Sequence, residues 1–250
     1  MTAVTTVTFD MWETLIIEDR ELGLKRAQLR IDRTAEALAQ AGRPFPEGRL
    51  WDAYWACVKT CSDIRAQERD IPFDDQVRIF IDGIAPGLSA ELPGDTIQQI
   101  SRAYDHSFFD YPTPLHPDTF STLSQLKERG FNLGLISNTA MTPGSTVQAY
   151  MEQVGILRFF DTLVFSDQVR LAKPAREIFN RALRQLNASP GATVHVGDDR
   201  MKDVAGAKAA GLKAIWVPRF PQDLLSDHHP PDATVAGLVQ VVGAVAALAL

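Results

Sequence analysis

Hydrophobic and polar positions divide the chain into a short strand, a long helical stretch and a region where strands and helices alternate. The β-branched run from Thr5 to Phe9 predicts a strand, because such side chains favour an extended backbone. From Leu22 to Phe109 apolar residues recur at helical spacing, and few strand patterns interrupt them. Residues 111–117 are rich in proline and predict a boundary after this helical stretch.

Beyond the boundary, apolar runs of strand length alternate with helical patterns. The predicted strands cover residues 131–136, 162–165, 193–196 and 214–217. The predicted helices cover residues 118–129, 145–154, 174–186, 201–210 and, at the end of the chain, 235–250. Pro174 is expected in the first turn of its helix, where its missing N–H costs nothing. This alternation predicts an α/β fold with a parallel sheet covered by helices on both faces.

The predicted sheet domain is split by the helical stretch. Residues 1–16 and 112–250 are expected to form the core, and residues 17–111 an inserted helical domain. An insertion directly after the first strand lies over the carboxyl-terminal edge of the sheet. That edge is where open α/β sheets bind their ligands.

Composition narrows the range of partners. Apolar residues make up 45% of the chain, charged residues 22%, and the net charge is -6. This acidic balance argues against nucleic acid or an anionic membrane as a partner. The first ten residues lack the features of a secretory leader. Cys57 and Cys61 are expected to be reduced thiols rather than a redox or metal pair, so we predict a cytoplasmic protein.

Four polar clusters fall at the ends of predicted strands or just beyond them. They are Asp10 with Thr14, Ser137 with Asn138, Lys173 with Pro174, and Gly197-Asp198-Asp199 with Asp203. Each cluster alone is weak evidence, because Asp and Ser are common turn residues. The carboxyl-terminal ends of parallel strands share one edge, so these clusters are expected to converge.

The residue types in these clusters suit phosphoryl transfer. The Asp10 carboxylate can attack phosphorus, and Asp10 with Asp198 offers hard oxygen ligands for Mg²⁺. Lys173 can offset the charge of nucleophile and phosphate together. Ser137 and Asn138 can donate hydrogen bonds to the transferring oxygens. The expected partner is therefore a small phosphorylated or otherwise anionic substrate.

In this order, the clusters resemble the four motifs of the haloacid dehalogenase-like superfamily. The matching segments are Phe9-Asp10-Met11-Trp12-Glu13-Thr14-Leu15, Leu135-Ile136-Ser137-Asn138-Thr139, Ala172-Lys173-Pro174, and Val196-Gly197-Asp198-Asp199 through Asp203. The resemblance covers nearly the whole chain. It implies a Rossmann-like core and a mobile helical cap of the subfamily I type, inserted after the first motif.

The same resemblance implies the roles of the site residues. Asp10 would be the nucleophile, and Mg²⁺ would be held by Asp10, the main-chain carbonyl of Trp12, and Asp198. Thr14, Ser137 and Lys173 would position the phosphate or the nucleophile. Two acidic residues of the fourth motif remain, Asp199 and Asp203. Each could be a further metal ligand or a carboxylate that supports the ligands.

The first motif departs from the pattern of the phosphatases at one position. They usually carry an aspartate two residues after the nucleophile, as general acid and base, and here that residue is Trp12. An indole cannot shuttle a proton, and losing this help typically costs about 10²–10⁴-fold in rate. The neighbouring Glu13 is a weak substitute, because its side chain is expected to point elsewhere.

Three functions are compatible with this departure. The chain could be a phosphatase limited to good leaving groups, a 2-haloacid dehalogenase, or a degenerate fold kept for binding. Dehalogenases of this group often have an aromatic residue at the Trp12 position, since halide leaves without a proton. They typically show a serine-asparagine pattern in the fourth motif and use no metal. The acidic pair Asp198-Asp199 therefore favours phosphoryl transfer.

Several other residues have a functional and a structural interpretation. Trp51, Tyr54 and Trp55 recur at near-helical spacing and are expected in the core of the insert rather than in a substrate pocket. His195 is expected to be a packed histidine rather than a base. Residues 228–229, two histidines before two prolines, are expected in a surface loop.

Overall fold

The computed structural model describes residues 3–219 and 230–249, so the expected loop at residues 228–229 lies outside the described residues. The strands are β1 Thr6–Phe9, β2 Asn132–Ser137, β3 Thr162–Phe165, β4 Thr193–Gly197, β5 Lys213–Trp216 and β6 Ala233–Thr234. Within the described part of the chain they form one parallel sheet in the order β3-β2-β1-β4-β5-β6. The chain order reverses at β1, and such a switch point forms a crevice at the carboxyl-terminal edge.

Helices lie between β1 and β2 as predicted. They are α1 Arg20–Gln40, α2 Glu47–Ala66, α3 Phe73–Ile84, α4 Leu88–Glu91 and α5 Gly94–Asp110. We call these five helices the helical unit. Its buried side chains, among them Leu38, Phe80, Ile81 and Tyr104, form a hydrophobic cluster separate from those of the sheet. The five helices therefore share an apolar core of their own, and Phe108 of α5 joins the cluster of the sheet instead.

Helices cover both faces of the sheet, which confirms the predicted α/β fold. They are α6 Thr119–Glu128, α7 Gly144–Gln153, α8 Ser166–Val169, α9 Arg176–Leu186, α10 Gly206–Ala209 and α11 Val241–Leu248. On one face Phe9 and Leu135 belong to a cluster with α6, α7 and α11. On the other face Ile136 and Trp216 belong to a cluster with α9 and α10. Alternate strand residues serve opposite faces because successive side chains point in opposite directions.

The two connections between the helical unit and the sheet run side by side. Ile16 pairs with Leu115 in an antiparallel bridge, and Ile17 N–H donates to the carbonyl of Pro114 at 3.0 Å. The chain thus leaves β1 and returns toward α6 at nearly the same place. Among the described residues, no helix is both long enough and apolar enough to cross a bilayer.

Local structure differs from the predicted elements in three places. α9 begins at Arg176, two residues later than predicted, and the backbone of the preceding Lys173 is hydrogen-bonded to the Asn138 side chain. The helix predicted at 201–210 begins as a π-helical segment, Arg200–Ala205. The helix predicted at 235–250 is shorter, Val241–Leu248, and β6 precedes it as a strand of two residues, too few to show a strand pattern.

Candidate active site

The four polar clusters meet at the carboxyl-terminal edge of the sheet. Asp10 follows β1, Ser137 ends β2, and Asp198 follows β4. Lys173 comes from the loop between α8 and α9. A cleft of about 580 Å³ opens beside them, between this edge and the last turn of α2. The convergence follows from parallel topology, which brings every strand end to one side.

Lys173 lies between two carboxylates in the floor of the cleft. Its Nζ donates to Asp10 Oδ1 and to Asp203 Oδ1, each at 2.6 Å, and its side chain is only 2% exposed. Burial alone lowers the pKa of this ammonium group, but the charges of Asp10 and Asp203 outweigh burial and raise it. Lys173 is therefore a fixed cation that holds Asp10 in one orientation.

Three carboxylates form an acidic group around this lysine. Oxygens of Asp10, Asp198 and Asp203 lie within 4.8 Å of one another. Burial raises the pKa of Asp10 to about 7 even though Lys173 opposes it. Burial and the neighbouring Asp10 raise the pKa of Asp198 to about 8. Like charges this close repel one another, and hard oxygen donors in this number suit a divalent cation such as Mg²⁺.

The two remaining acidic residues of the fourth motif have different surroundings. Asp203 is buried and accepts from Lys173 Nζ, from His195 Nε2 at 3.1 Å and from Asp199 N–H at 3.0 Å. Asp199 lies outside the acidic group. Its Oδ1 accepts from the backbone N–H groups of Met201 and Lys202, which caps the π-helical segment. Asp203 thus faces the lysine, whereas Asp199 stabilises the local backbone.

His195 is packed, as predicted, and also supports Asp203. Burial lowers its pKa, so the ring is neutral, and a carboxylate can only accept. Nε2 therefore donates to Asp203 Oδ1, and Nδ1 accepts from the Thr8 hydroxyl at 2.9 Å. Gly197 makes room for this arrangement, because a Cβ there would lie 2.3 Å from Asp203 Cγ. His195 and Gly197 had no sequence signal for this role.

Three other predicted site residues have different surroundings. Asn138 lines the cleft, but its amide is occupied by the Lys173 backbone: Oδ1 accepts from N–H at 2.9 Å and Nδ2 donates to the carbonyl at 3.1 Å. Ser137 is fully buried, with one long contact of 3.5 Å from its hydroxyl to the Asn138 carbonyl. The Thr14 hydroxyl is buried and has no hydrogen-bond partner in the described part of the chain.

Trp12 and Glu13 both line the cleft. The Trp12 ring packs edge-on against Phe108 of α5, with ring centroids 5.9 Å apart. Glu13 has a φ of 60°, in the left-handed region, and its carboxylate pairs with Arg219 at 2.7 Å. Burial raises the pKa of Glu13 in spite of this pairing. The ion pair holds the Glu13 carboxylate against Arg219.

The carboxyl-terminal part of α2 forms another part of the cleft wall. Ser62, Arg65 and Ala66 line it. None of the three aromatic residues singled out on the insert is among the lining residues in the described part of the chain. Tyr54 is buried in the helical unit and Trp51 packs against the same cluster, whereas Trp55 is 51% exposed. Arg65 had no sequence signal, because nothing along the chain distinguishes it from a solvated helical arginine.

Known proteins resemble this chain in sequence and in fold. A glyceraldehyde 3-phosphate phosphatase from Methanothermobacter thermautotrophicus is 42% identical over 103 residues, covering 40% of this chain and 43% of that protein. A phosphoserine phosphatase from Thermus thermophilus is 26% identical over 235 residues, covering 90% and 89%. The chain thus spans less than half the length of the Methanothermobacter protein.

Solved structures and a family model extend this comparison to the whole chain. The crystal structure of a 2-haloacid dehalogenase from Pseudomonas syringae matches 98% of both chains with a TM-score of 0.72 at 24% identity, which shows a shared fold. The family model described as haloacid dehalogenase-like hydrolase matches residues 4–211. With this match over most of its length, the chain belongs to the haloacid dehalogenase-like family of hydrolases.

Proposed function

We propose that this protein is a magnesium-dependent phosphatase that forms an aspartyl-phosphate on Asp10. The observation that carries the proposal is the Asp10 carboxylate, fixed by Lys173 at 2.6 Å and adjoining Asp198 and Asp203. Relatives named as phosphatases of glyceraldehyde 3-phosphate, phosphoserine and pyrophosphate support a small phosphorylated substrate. The acidic group supports phosphoryl transfer over dehalogenation. A metal ion held by these carboxylates would neutralise the charge of a phosphate, and a halide substrate carries no phosphate.

Side chains of this protein orient the Asp10 carboxylate for attack. One Asp10 oxygen accepts from Lys173, which leaves the other as nucleophile: its bond to phosphorus forms as the bond to the leaving oxygen breaks. Water then hydrolyses the aspartyl-phosphate. Asp10, Asp198 and the main-chain carbonyl of Trp12 would hold Mg²⁺, which supplies charge neutralisation for the phosphoryl oxygens. Asp203 and His195 keep Lys173 in place throughout.

The helical unit has a part in this proposal. We assign residues 17–111 to a cap over a core of residues 1–16 and 112–250. Ser62, Arg65 and Ala66 of α2 line the same cleft as the acidic group, which supports this division. Closing such a cap would exclude water and strengthen the electrostatic interactions inside the cleft.

Removing divalent metal is expected to abolish hydrolysis of p-nitrophenyl phosphate. The reason is that the buried carboxylates of the acidic group repel a phosphate dianion unless a cation lies between them. The measurement is turnover before and after a chelator, with Mg²⁺ and then Ca²⁺ added back. Calcium is the control, because it prefers more ligands at longer distances than Mg²⁺.

Two outcomes would contradict the metal prediction and separate the alternatives. Activity undiminished by chelation would reject the magnesium site. Halide release from 2-haloacids at about 1 s⁻¹ or faster would make the protein a dehalogenase. Tight binding of phosphate esters without any turnover would instead support the degenerate binding function.

The rate is expected to depend steeply on the leaving group, because Trp12 cannot protonate the departing oxygen. We expect p-nitrophenyl phosphate to turn over about 10²–10⁴-fold faster than alkyl phosphates. Trp12→Asp should raise alkyl-phosphate turnover by about tenfold or more by restoring a proton donor. Trp12→Asn is the matched control, since it opens the same space without supplying an acid. It should leave alkyl-phosphate turnover no higher than in the native protein.

The contrary result is equally clear for Trp12. A flat dependence of the rate on leaving-group pKa, with chemistry shown to limit turnover, would mean that another group supplies the proton. Equal gains from Trp12→Asp and Trp12→Asn would mean that the ring acts only by filling space against Phe108.

A further inference from the structure

A cation lines the same cleft as the acidic group. Arg65 lies in the last turn of α2 and lines the same cleft as Asp10 and Asp198. Its side chain is only 14% exposed. Ser62 and Ala66 line the cleft beside it, at the spacing that places residues on one face of a helix. The wall that a leaving group would meet therefore presents a guanidinium and a hydroxyl.

Arg65 has hydrogen-bonding capacity that its ion pair leaves unused. Its Nη1 lies 3.5 Å from Asp70 Oδ1, longer than the roughly 2.7–2.9 Å of a charge-assisted hydrogen bond. The same Nη1 is buried and has no hydrogen-bond partner among the described residues. Because Nη1 is enclosed by protein, an anion in the cleft would reach Arg65 through the 14% of its side chain that is exposed.

Asp70 is committed to other donors. Ser166 donates to its Oδ2 at 2.5 Å, and the Ile71 N–H donates to its Oδ1 at 2.9 Å. Asp70 thus balances the charge of Arg65 but does not accept hydrogen bonds from its planar set of N–H donors. That planar set matches the two oxygens of a carboxylate or phosphate.

We propose that Arg65, with Ser62 beside it, binds a second anionic group on the leaving portion of the substrate. The substrate class is then a phosphate ester whose alcohol carries a carboxylate or a second phosphate. This inference rests on the proposed phosphatase activity. The acidic group acts on the reacting phosphate, and Arg65 selects the alcohol to which that phosphate is attached.

The test compares three aryl phosphates of similar size. They are 3-carboxyphenyl phosphate, its neutral amide 3-carbamoylphenyl phosphate, and benzene-1,3-diyl bisphosphate. We expect the native protein to prefer one or both anionic compounds over the amide by about tenfold or more in kcat/KM, mainly through KM. Preference for the carboxylate or for the bisphosphate identifies which second anion the subsite takes.

Variants separate recognition from a structural role. Arg65→Gln should remove the preference for the anionic esters. It should change kcat/KM for the amide by less than about threefold, because the amide does not make the lost interaction. Arg69→Gln is the matched control, since this exposed arginine of the same segment does not line the cleft. Asp70→Asn breaks the ion pair but keeps the guanidinium, so it should retain the preference.

Three results would overturn the subsite. One is a native protein that does not distinguish the anionic esters from the amide. Another is an Arg65→Gln variant in which kcat/KM falls equally for all three substrates. The third is an Asp70→Asn variant that loses the preference as fully as Arg65→Gln. Hydrolysis of the amide without any anionic preference leaves the phosphatase standing and rejects only the subsite. Failure to hydrolyse any aryl phosphate, including p-nitrophenyl phosphate, rejects both.

Discussion

Asp10→Asn is expected to lower phosphate-ester hydrolysis by about 10⁴-fold or more, since it removes the attacking carboxylate. The fold should survive, because an amide oxygen can still accept from Lys173 and the substitution removes a charge from the crowded acidic group. Steady-state turnover and thermal unfolding of the same preparation check both statements. Incubation with an acyl or aryl phosphate should label the native protein covalently and leave Asp10→Asn unlabelled.

Asp199→Asn is the matched control for this prediction. Asparagine caps helices as well as aspartate does, so the two hydrogen bonds to Met201 and Lys202 can persist. Because the Asp199 carboxylate lies outside the acidic group, we expect turnover and the Mg²⁺ dependence to change by less than a factor of about three. A loss near that of Asp10→Asn would make Asp199 a metal ligand. Appreciable turnover by Asp10→Asn itself would remove Asp10 from the chemistry.

Lys173→Met is expected to lower both activity and stability. Removing the ammonium leaves Asp10 and Asp203 buried without their shared cation, and losing one partner of a buried pair costs about 3–5 kcal/mol. Turnover should fall by about 10²–10³-fold in the fraction that remains folded. Urea unfolding and the rate with p-nitrophenyl phosphate, measured below the unfolding transition, check the two effects separately.

The pH profile gives Lys173→Met a second readout. Lys173 lowers the pKa of Asp10, so without it Asp10 holds its proton to higher pH. A protonated carboxyl is a poor nucleophile, and the acidic limb of the residual rate should therefore move to higher pH. Lys208→Met is the control, because its pair with Asp232 is partly exposed and worth at most about 1 kcal/mol. A folded Lys173→Met with native activity and an unmoved profile would refute the role of this lysine.

The order of elements followed from the sequence, for local reasons. Apolar runs of strand length and helical spacing are properties of neighbouring residues, so the α/β alternation and the helical stretch after β1 were predictable. In a parallel sheet every strand ends at the same edge, so the sequence alone predicts that Asp10, Ser137 and Asp198 lie together. Those parts of the site depend on topology alone.

Only the tertiary structure decided how the polar groups are used. Asp199 and Asp203 are four residues apart and chemically alike, yet one caps a π-helical segment and the other accepts from Lys173 and His195. The difference arises because Asp199 precedes the segment and caps its N–H groups, whereas Asp203 lies within it and is buried against Gly197.

The contacts that complete the cleft come from distant parts of the chain. Asn138 binds the backbone of Lys173, 35 residues away, and fixes the loop that precedes α9. Arg65 lines the same cleft as the acidic group because the end of α2 lies beside the strand ends. A sequence pattern specifies which face of a helix is apolar, whereas the packing of one element on another decides which polar group it opposes.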